Sequence, residues 1–254
     1  MPTKTRSSRI LLAEDNAVHR QLVTALLGKR GHAVVTVVNG REAVAAVAEG
    51  GFDLVLMDVQ MPEMDGLEAT ATIRKAEKES GAHVPIVALT AHAMKGDREA
   101  CLTAGMDEYL SKPVNATELF ALIESVTGRA TIRTPHRPIA SARSESAFDL
   151  EGTLARVEGD RLLLNELMQI FRADVPRALA EIRHCATTGD TTGLERAAHG
   201  FRGACGSFGA RGAVRAAHVL ELMGRRAILT DVDARLDDLE RETRSLQDAL
   251  QSVN

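Results

Sequence analysis

Two hydrophobic patterns divide the chain near residue 127. Before that point, short apolar runs alternate with segments in which apolar residues recur at the helical period. The runs are rich in Val, Ile and Leu with little polar alternation, which is typical of parallel strands buried on both faces. They predict five strands, at residues 10–13, 33–38, 54–57, 86–89 and, from a weaker pattern, 108–111.

Each strand is followed by a helix-period segment that ends close to a glycine, a common helix stop. These segments predict helices at residues 17–29, 41–48, 67–78, 94–102 and 117–126. The βα repeat predicts a doubly wound α/β domain with a five-stranded parallel sheet over residues 1–127. The ligand site of such a domain lies at the carboxyl ends of the strands.

The second half has no strand-like alternation. Over residues 148–254 the apolar period predicts an all-α antiparallel helical bundle, with helices at 154–158, 161–185, 191–208, 213–224 and 232–250. Between the halves, residues 128–147 contain two prolines and four arginines and have no apolar period. We interpret this segment as a flexible linker.

Composition narrows the class of protein. The 254 residues are 44% hydrophobic with a net charge of −4, which excludes disorder throughout and argues against a nucleic-acid partner. No uncharged apolar run approaches the ~20 residues of a membrane helix, and none near the start is long enough for a signal peptide. We therefore expect a cytoplasmic protein with no membrane insertion. Cys101, Cys185 and Cys205 form no Cys-x-x-Cys pair and are expected to be buried.

Polar residues that could bind a metal or take part in a reaction follow four of the predicted strands. Glu14 and Asp15 follow the first strand, Asp58 the third, Thr90 the fourth, and Lys112 the fifth. Any one of these acids alone would more commonly be a helix cap, but three converging carboxylates repel one another unless a cation such as Mg²⁺ offsets them. A lysine and a hydroxyl opposite the metal would complete a clamp for a phosphoryl group, with Asp58 as the candidate nucleophile.

Four motifs include these residues: LLAEDN (11–16), MDVQMPEMDG (57–66), ALTAHA (88–93) and YLSKP (109–113). Through these motifs, residues 8–127 resemble the response-regulator receiver domain, which has a flavodoxin-like fold. The resemblance implies that the Glu14, Asp15 and Asp58 carboxylates and the Gln60 backbone carbonyl hold Mg²⁺, and that Asp58 accepts the phosphoryl group.

The same resemblance assigns three further roles. It implies that Thr90 and Lys112 contact the phosphoryl group, and that Thr90 and Tyr109 take part in switching. It also implies a cis peptide at Lys112-Pro113, which proline permits.

One segment of the second half is unusual for a helix. The run LERAAHGFRGACGSFGA (194–210) contains four glycines, each of which costs roughly 1 kcal/mol against alanine in a helix interior. At the helical period one face is apolar, and the other carries His199, Arg202, Gly203 and Gly206. The glycines either let a partner protein approach the imidazole or permit close helix packing within the bundle.

The run AHGFRGACGSFGA (198–210) is similar to the motif of the histidine-containing phosphotransfer (HPt) domain, and the resemblance covers about residues 148–226. It implies that His199 is phosphorylated and that Gly203 gives clearance beside it, and we expect Gly203 and Gly206 to form a docking face. Arg202 replaces the usual lysine. Because the chain has no lysine after position 112, we expect Arg202 to be tolerated. His218, on the next helix, is a weaker candidate for chemistry.

Together the two halves resemble the C-terminal part of hybrid sensor histidine kinases. The expected function is that of a phosphorelay intermediate, which accepts a phosphoryl group on Asp58 from a sensor histidine kinase in trans and relays it through His199 to a separate response regulator. No ATP-binding kinase motif is present in the chain. An alternative stays open, in which phosphorylation of Asp58 switches the helical half as a binding module that accepts no phosphate.

Overall fold

The computed structural model describes residues 7–90, 95–127 and 148–253. The chain divides into two compact units, Met1–Arg137 and Pro138–Asn254. The predicted linker, residues 128–147, lies outside the described residues, as does Met94, the predicted start of the fourth helix.

The first unit contains the predicted five-stranded parallel sheet, in the order β2-β1-β3-β4-β5. The strands are β1 (Arg9–Ala13), β2 (Ala33–Val37), β3 (Leu54–Asp58), β4 (Ile86–Thr90) and β5 (Glu108–Ser111). The direction in which successive strands are added reverses between β1 and β3. Doubly wound sheets bind ligands in the crevice at this point, outside the carboxyl ends of the strands.

Full burial was predicted for the apolar strands, and for β2 this is wrong. Every residue of β3 and β4 is buried, but none of β2 is, and Val35 is 37% exposed. The reason is that β2 forms an edge of the sheet and pairs only with β1. Its apolar sequence could not distinguish an edge strand from a central one.

Helices connect and flank the strands. They are α1 (Ala17–Lys29), α2 (Gly40–Glu49), α3 (Gly66–Ser80), α4 (Lys95–Ala104) and α5 (Ala116–Val126). Asn or Asp side chains cap the N-termini of α1, α2, α3 and α5. Gly81 ends α3 in the left-handed conformation that glycine adopts without steric cost.

Helices are the regular secondary structure that the second unit contains over its described residues. They are α6 (Leu150–Arg156), α7 (Arg161–Thr188), α8 (Thr191–Ser207), α9 (Arg211–Arg226) and α10 (Val232–Gln251). The predicted position of the first helix, 154–158, is wrong. Asp149 caps the N-terminus of α6 through the Gly152 amide, and residues Glu158 and Gly159 have positive φ angles beyond its end.

Phenylalanines form the centre of the second unit. Phe171 of α7 packs against Phe201 and Phe208, with ring centroids 6.2 and 5.1 Å apart. The apolar positions of α10, Leu236, Leu239, Leu246 and Leu250, are buried, and α10 contacts α7 and α9. All three cysteines are buried, as predicted. Within the described ranges, no helix is both long and apolar enough to cross a membrane.

Candidate functional site

The first unit gathers three carboxylates at the carboxyl ends of β1 and β3. Glu14 and Asp15 follow β1 directly, and Asp58 is the last residue of β3. The two strands are adjacent, with Ala13 opposite Met57. One oxygen of each carboxylate lies within 4.8 Å of the others, as the chain order of the strand ends predicted.

Lys112 enters the same cluster from the end of β5. Its Nζ lies 2.6 Å from Oδ2 of Asp58 and 2.8 Å from Oε2 of Glu14. Its backbone amide donates to the Thr90 carbonyl at 2.7 Å, which fixes the loop after β5 against the end of β4. The Lys112-Pro113 peptide is cis, as the family resemblance implied.

Burial and the charges of their neighbours shift the pKa values of these four groups. Burial and the neighbouring Glu14 carboxylate raise the pKa of Asp15 to about 6 and raise the pKa of Asp58 well above its ordinary value. Burial would also raise the pKa of Glu14, but Lys112 and His19 outweigh it and the net shift is downward. Burial would lower the pKa of Lys112, yet Asp58 and Glu14 raise it. Lys112 alone does not offset the three carboxylates.

The donor set fits a magnesium ion. Carboxylate oxygens are hard ligands of the kind that Mg²⁺ prefers, and this ion keeps several waters instead of taking a full set of protein ligands. Glu14 and Asp58 are buried whereas Asp15 is partly exposed, so the cluster is open to water on one side. A divalent cation would also offset the repulsion that raises the pKa values of Asp15 and Asp58.

The loop after β3 surrounds Asp58. The Gln60 amide donates to Oδ1 of Asp58 at 3.3 Å, and the Gln60 side-chain oxygen is buried with no hydrogen-bond partner among the described residues. Gly66, at the start of α3, lies so close to the Asp58 carbonyl that a Cβ atom at this position would overlap it. The glycine of the MDG motif therefore lets α3 begin directly against the strand that carries Asp58.

The two predicted switch residues lie on neighbouring strands. Thr90 is the last residue of β4 and is buried, and it lies one position beyond Leu89, which pairs with Asp58 across β3 and β4. Tyr109 lies on β5, and the Arg98 guanidinium of α4 is 5.6 Å from the centroid of its ring.

In the second unit, α8 presents the two faces that its sequence predicted. The apolar face is buried, with Leu194, Ala198, Phe201, Cys205 and Phe208 all at most 4% exposed. His199, Arg202, Gly203 and Gly206 are partly exposed. The His199 side chain retains 12% of its accessible surface.

A buried carboxylate of α9 contacts the His199 ring. Nδ1 of His199 lies 3.0 Å from Oε1 of Glu221 and 3.3 Å from Nη2 of Arg202. Nδ1 serves one of these contacts at a time, because it donates when protonated and accepts when not. The ionised Glu221 carboxylate only accepts, so it favours the proton on Nδ1 and leaves the lone pair on Nε2.

Glu221 is fully buried and has several cationic or imidazole neighbours. On Oε2, it meets Nε of Arg202 at 2.8 Å and Nδ1 of His218 at 3.3 Å. Nη2 of Arg225 approaches Oε1 at 3.5 Å. Burial would raise the pKa of Glu221, but the hydrogen bond and charge of His199, together with Arg202 and His218, lower it to about 2. His218 thus flanks the site, bound to the same carboxylate.

Three glycines within the helices of the second unit differ in the space around them. A Cβ atom at Gly200 or Gly206 would meet no atom of the described residues within 4 Å, so internal packing does not require glycine there. At Gly224 of α9, a Cβ would lie 2.5 Å from the Glu195 amide nitrogen of α8. Close packing of α8 against α9 therefore explains the glycine at position 224. At positions 200 and 206, clearance on an open face is the remaining explanation for glycine.

Sequence reasoning missed Glu221. The available signal was an acid at a position where the helical period of α9 places buried residues, beside Ala217, Leu220 and Gly224. A charge is retained at such a position only when it is paired. The residue that pairs with Glu221 depends on how α8 packs against α9, and the sequence alone does not determine that packing.

Two family models match this chain. The response regulator receiver domain matches residues 10–124, and the Hpt domain matches residues 166–253. The chain is 36% identical over 259 residues to sensor protein GacS of Pseudomonas syringae pv. syringae, covering 96% of this chain and 28% of GacS. It is 27% identical over 250 residues to signal transduction histidine-protein kinase BarA of Escherichia coli strain K12, covering 96% of this chain and 26% of BarA.

Among solved structures, the first unit is similar to the receiver domain of a sensor histidine kinase from Pseudomonas aeruginosa PAO1, crystallised with a magnesium ion coordinated in its active-site cleft. The identity is 43%, the match covers 48% of this chain and 98% of that chain, and the TM-score is 0.45.

The chain belongs to the two-component signalling proteins, as a receiver domain followed by an Hpt domain. It is similar to the C-terminal part of hybrid histidine kinases such as GacS and BarA, and it spans little more than a quarter of their length. This domain pair supports a two-component phosphorelay role.

Proposed function

We propose that this chain is a phosphorelay intermediate, which accepts a phosphoryl group on Asp58 from a histidine kinase and passes it through His199 to a response regulator. One observation carries the proposal. The chain holds a carboxylate 2.6 Å from a buried lysine in one unit and an imidazole 3.0 Å from a buried carboxylate in the other. These are the two kinds of phosphoryl acceptor that a relay from aspartate to histidine needs.

At the first acceptor, an Asp58 carboxylate oxygen attacks phosphorus and the bond from phosphorus to the donor histidine nitrogen breaks. Lys112 offsets negative charge on the phosphoryl oxygens, and we assign the Thr90 hydroxyl a contact with the same group. Glu14, Asp15, Asp58 and the Gln60 carbonyl would hold Mg²⁺, which would supply further charge neutralisation at the phosphoryl oxygens.

At the second acceptor, Nε2 of His199 attacks the phosphorus of an aspartyl phosphate, and the bond to the aspartate oxygen breaks to return a free carboxylate. The Nδ1 proton stays in its hydrogen bond to Glu221, which offsets the positive charge that the ring gains. Arg202 lies beside the ring and offsets phosphoryl charge. The reverse reaction is equally available, because the donor and acceptor exchange roles.

The surroundings of the two acceptors suit contact with partner proteins. The open glycines of α8 permit close approach of a receiver domain to His199, and we assign Gly203 and Gly206 to this docking face. In the receiver domain, we assign Thr90 and Tyr109 to the conformational response to phosphorylation. The donor kinase and the acceptor regulator are separate domains that meet these surfaces in turn.

The test is a phosphotransfer assay on the full chain with Mg²⁺ and a phosphorylated histidine kinase, comparing wild type, Asp58→Asn and His199→Gln. The expected result is base-labile label on Asp58 and acid-labile, base-stable label on His199, with the latter lost in Asp58→Asn. Label confined to Asp58, with His199→Gln indistinguishable from wild type, would instead establish the helical domain as a binding module and the chain as a switch.

A further inference from the structure

We infer that Arg20 is a positioning residue for the magnesium site, because it fixes the turn that carries Glu14 and Asp15. Nη1 of Arg20 donates to the Glu14 carbonyl at 2.8 Å and to the Asp15 carbonyl at 3.0 Å. The inference rests on the proposed function, since it concerns the Mg²⁺ site of the same receiver domain.

Among the residues that the structure describes, no backbone amide outside the regular helices and strands donates to either of these two carbonyls. Asn16 caps α1 by accepting from the amides of Val18 and His19, and its own amide lies 3.3 Å from Oε1 of Glu14. These bonds define the start of the helix and one carboxylate. The Arg20 guanidinium adds the bond that ties the peptide units of both acids to α1.

The position of Arg20 is electrostatically unfavourable, so hydrogen bonding must account for it. The guanidinium reaches back over the N-terminus of α1, where the helix dipole disfavours a cation. It also lies next to residues proposed to bind a divalent cation, which it would repel as a point charge. Its two carbonyl bonds offset these costs and turn both carbonyls toward Arg20, which leaves the side-chain carboxylates as the metal ligands.

The two roles of Arg20 predict effects of opposite sign. If Arg20 positions the turn, its removal weakens Mg²⁺ binding because the carboxylates lose their fixed geometry. If it acts only as a nearby charge, its removal strengthens Mg²⁺ binding. Outer contacts that orient metal ligands are worth about 10- to 100-fold in metal affinity, so we expect Arg20→Met to weaken binding by about tenfold.

The experiment is calorimetric titration of the metal-free full chain with MgCl₂ at constant ionic strength. The variants are Arg20→Met, Arg20→Lys, and Arg41→Met as a charge-matched control, since Arg41 is 74% exposed and only weakly paired with Glu63 at 3.8 Å. We expect Arg20→Lys to recover most of the affinity, because its ammonium can donate to both carbonyls, and Arg41→Met to match wild type. Thermal unfolding without Mg²⁺ verifies that each variant is folded, and Arg20→Gln replaces Arg20→Met if the latter does not fold.

The outcomes separate this inference from the proposal beneath it. Wild-type binding with unchanged or tighter binding in Arg20→Met overturns the positioning role and leaves the magnesium site intact. Equal weakening in Arg20→Met and Arg20→Lys overturns it as well, because the retained donor would then have no effect. Absence of Mg²⁺ binding by wild type overturns the magnesium site, and the role of Arg20 with it.

Discussion

Nδ1 of His199 lies 3.0 Å from Oε1 of Glu221, and the Glu221 side chain is fully buried. The pair joins α8 to α9 and assigns different tasks to the two ring nitrogens, because a carboxylate that only accepts keeps the proton on Nδ1. A single buried acid thus orients the ring and selects its tautomer, with the lone pair on Nε2, the atom that we propose as the phosphoryl acceptor.

Replacing Glu221 by Gln should slow phosphoryl transfer to His199. The amide can accept from Nδ1–H or donate to Nδ1, so it no longer selects one tautomer, and it carries no charge to offset the ring. We expect a decrease of about tenfold or more, equivalent to at least 1.4 kcal/mol in the barrier. The measurement is the single-turnover rate of transfer from a phosphorylated receiver domain.

The matched control for that variant is Glu195→Gln. Glu195 of α8 is partly exposed and pairs with Arg225 at 2.8 Å, so Glu195→Gln removes an acid of the same helix whose ion pair is with Arg225. Equal slowing in the two variants would contradict a specific role for Glu221.

The stabilising effect of Glu221 should depend on pH in the acid range. Its pKa is about 2 in the folded chain against an ordinary 4.5. A lowered pKa stabilises the fold above the ordinary value, and that contribution is lost as the pH falls through the folded value. Wild type should therefore be more stable than Glu221→Gln by about 3 kcal/mol above pH 5, and the difference should shrink toward pH 2. Denaturant unfolding at a series of pH values measures it.

Asp15→Asn should stabilise the metal-free chain. Burial and the Glu14 carboxylate raise the pKa of Asp15 to about 6, so at pH 7.5 the fold bears the cost of a desolvated, ionised carboxylate beside another carboxylate. Removing that charge should add on the order of 1–3 kcal/mol of stability. The same variant should lose most of the thermal stabilisation that Mg²⁺ gives wild type. Unfolding scans with EDTA and with MgCl₂ test both effects, and a lower melting temperature in EDTA would contradict the repulsion argument.

Arg202→Lys should change the transfer rate by less than tenfold. Arg202 reaches Oε2 of Glu221 through Nε at 2.8 Å and His199 through Nη2 at 3.3 Å. A lysine ammonium keeps the charge but cannot span both contacts. An increase of several orders of magnitude would show that the natural arginine attenuates transfer.

Substitutions at Gly206 should separate folding from docking. Gly206→Ala should stabilise α8 by about 0.5–1 kcal/mol. The new Cβ would have no atom of the described residues within 4 Å, and alanine is the better helix former. Gly206→Leu should leave the fold intact but slow transfer by obstructing a partner. Gly224→Ala is the contrasting control and should destabilise the domain, since its Cβ would press on the α8 backbone. Unfolding and transfer measurements on all three variants distinguish the two roles.

The elements of the fold were largely predictable because the hydrophobic period and the capping residues are local. Thirteen-residue α1, for example, begins after Asn16 and ends at Lys29 as predicted. The position of α6 was predicted wrongly. This helix is short, and its bounds depend on the Asp149 cap and on positive φ angles at Glu158 and Gly159. A weak apolar period does not reveal either of these features.

By itself, the sequence determined which residues stand at the strand ends and which lie on each face of α8, because alternation and helical period place side chains relative to their own backbone. The tertiary structure decided what those side chains meet. It placed Lys112 against both Glu14 and Asp58, assigned Glu221 to His199, and exposed β2 at the sheet edge. Such contacts depend on how separate elements pack, and that packing is a property of the whole core.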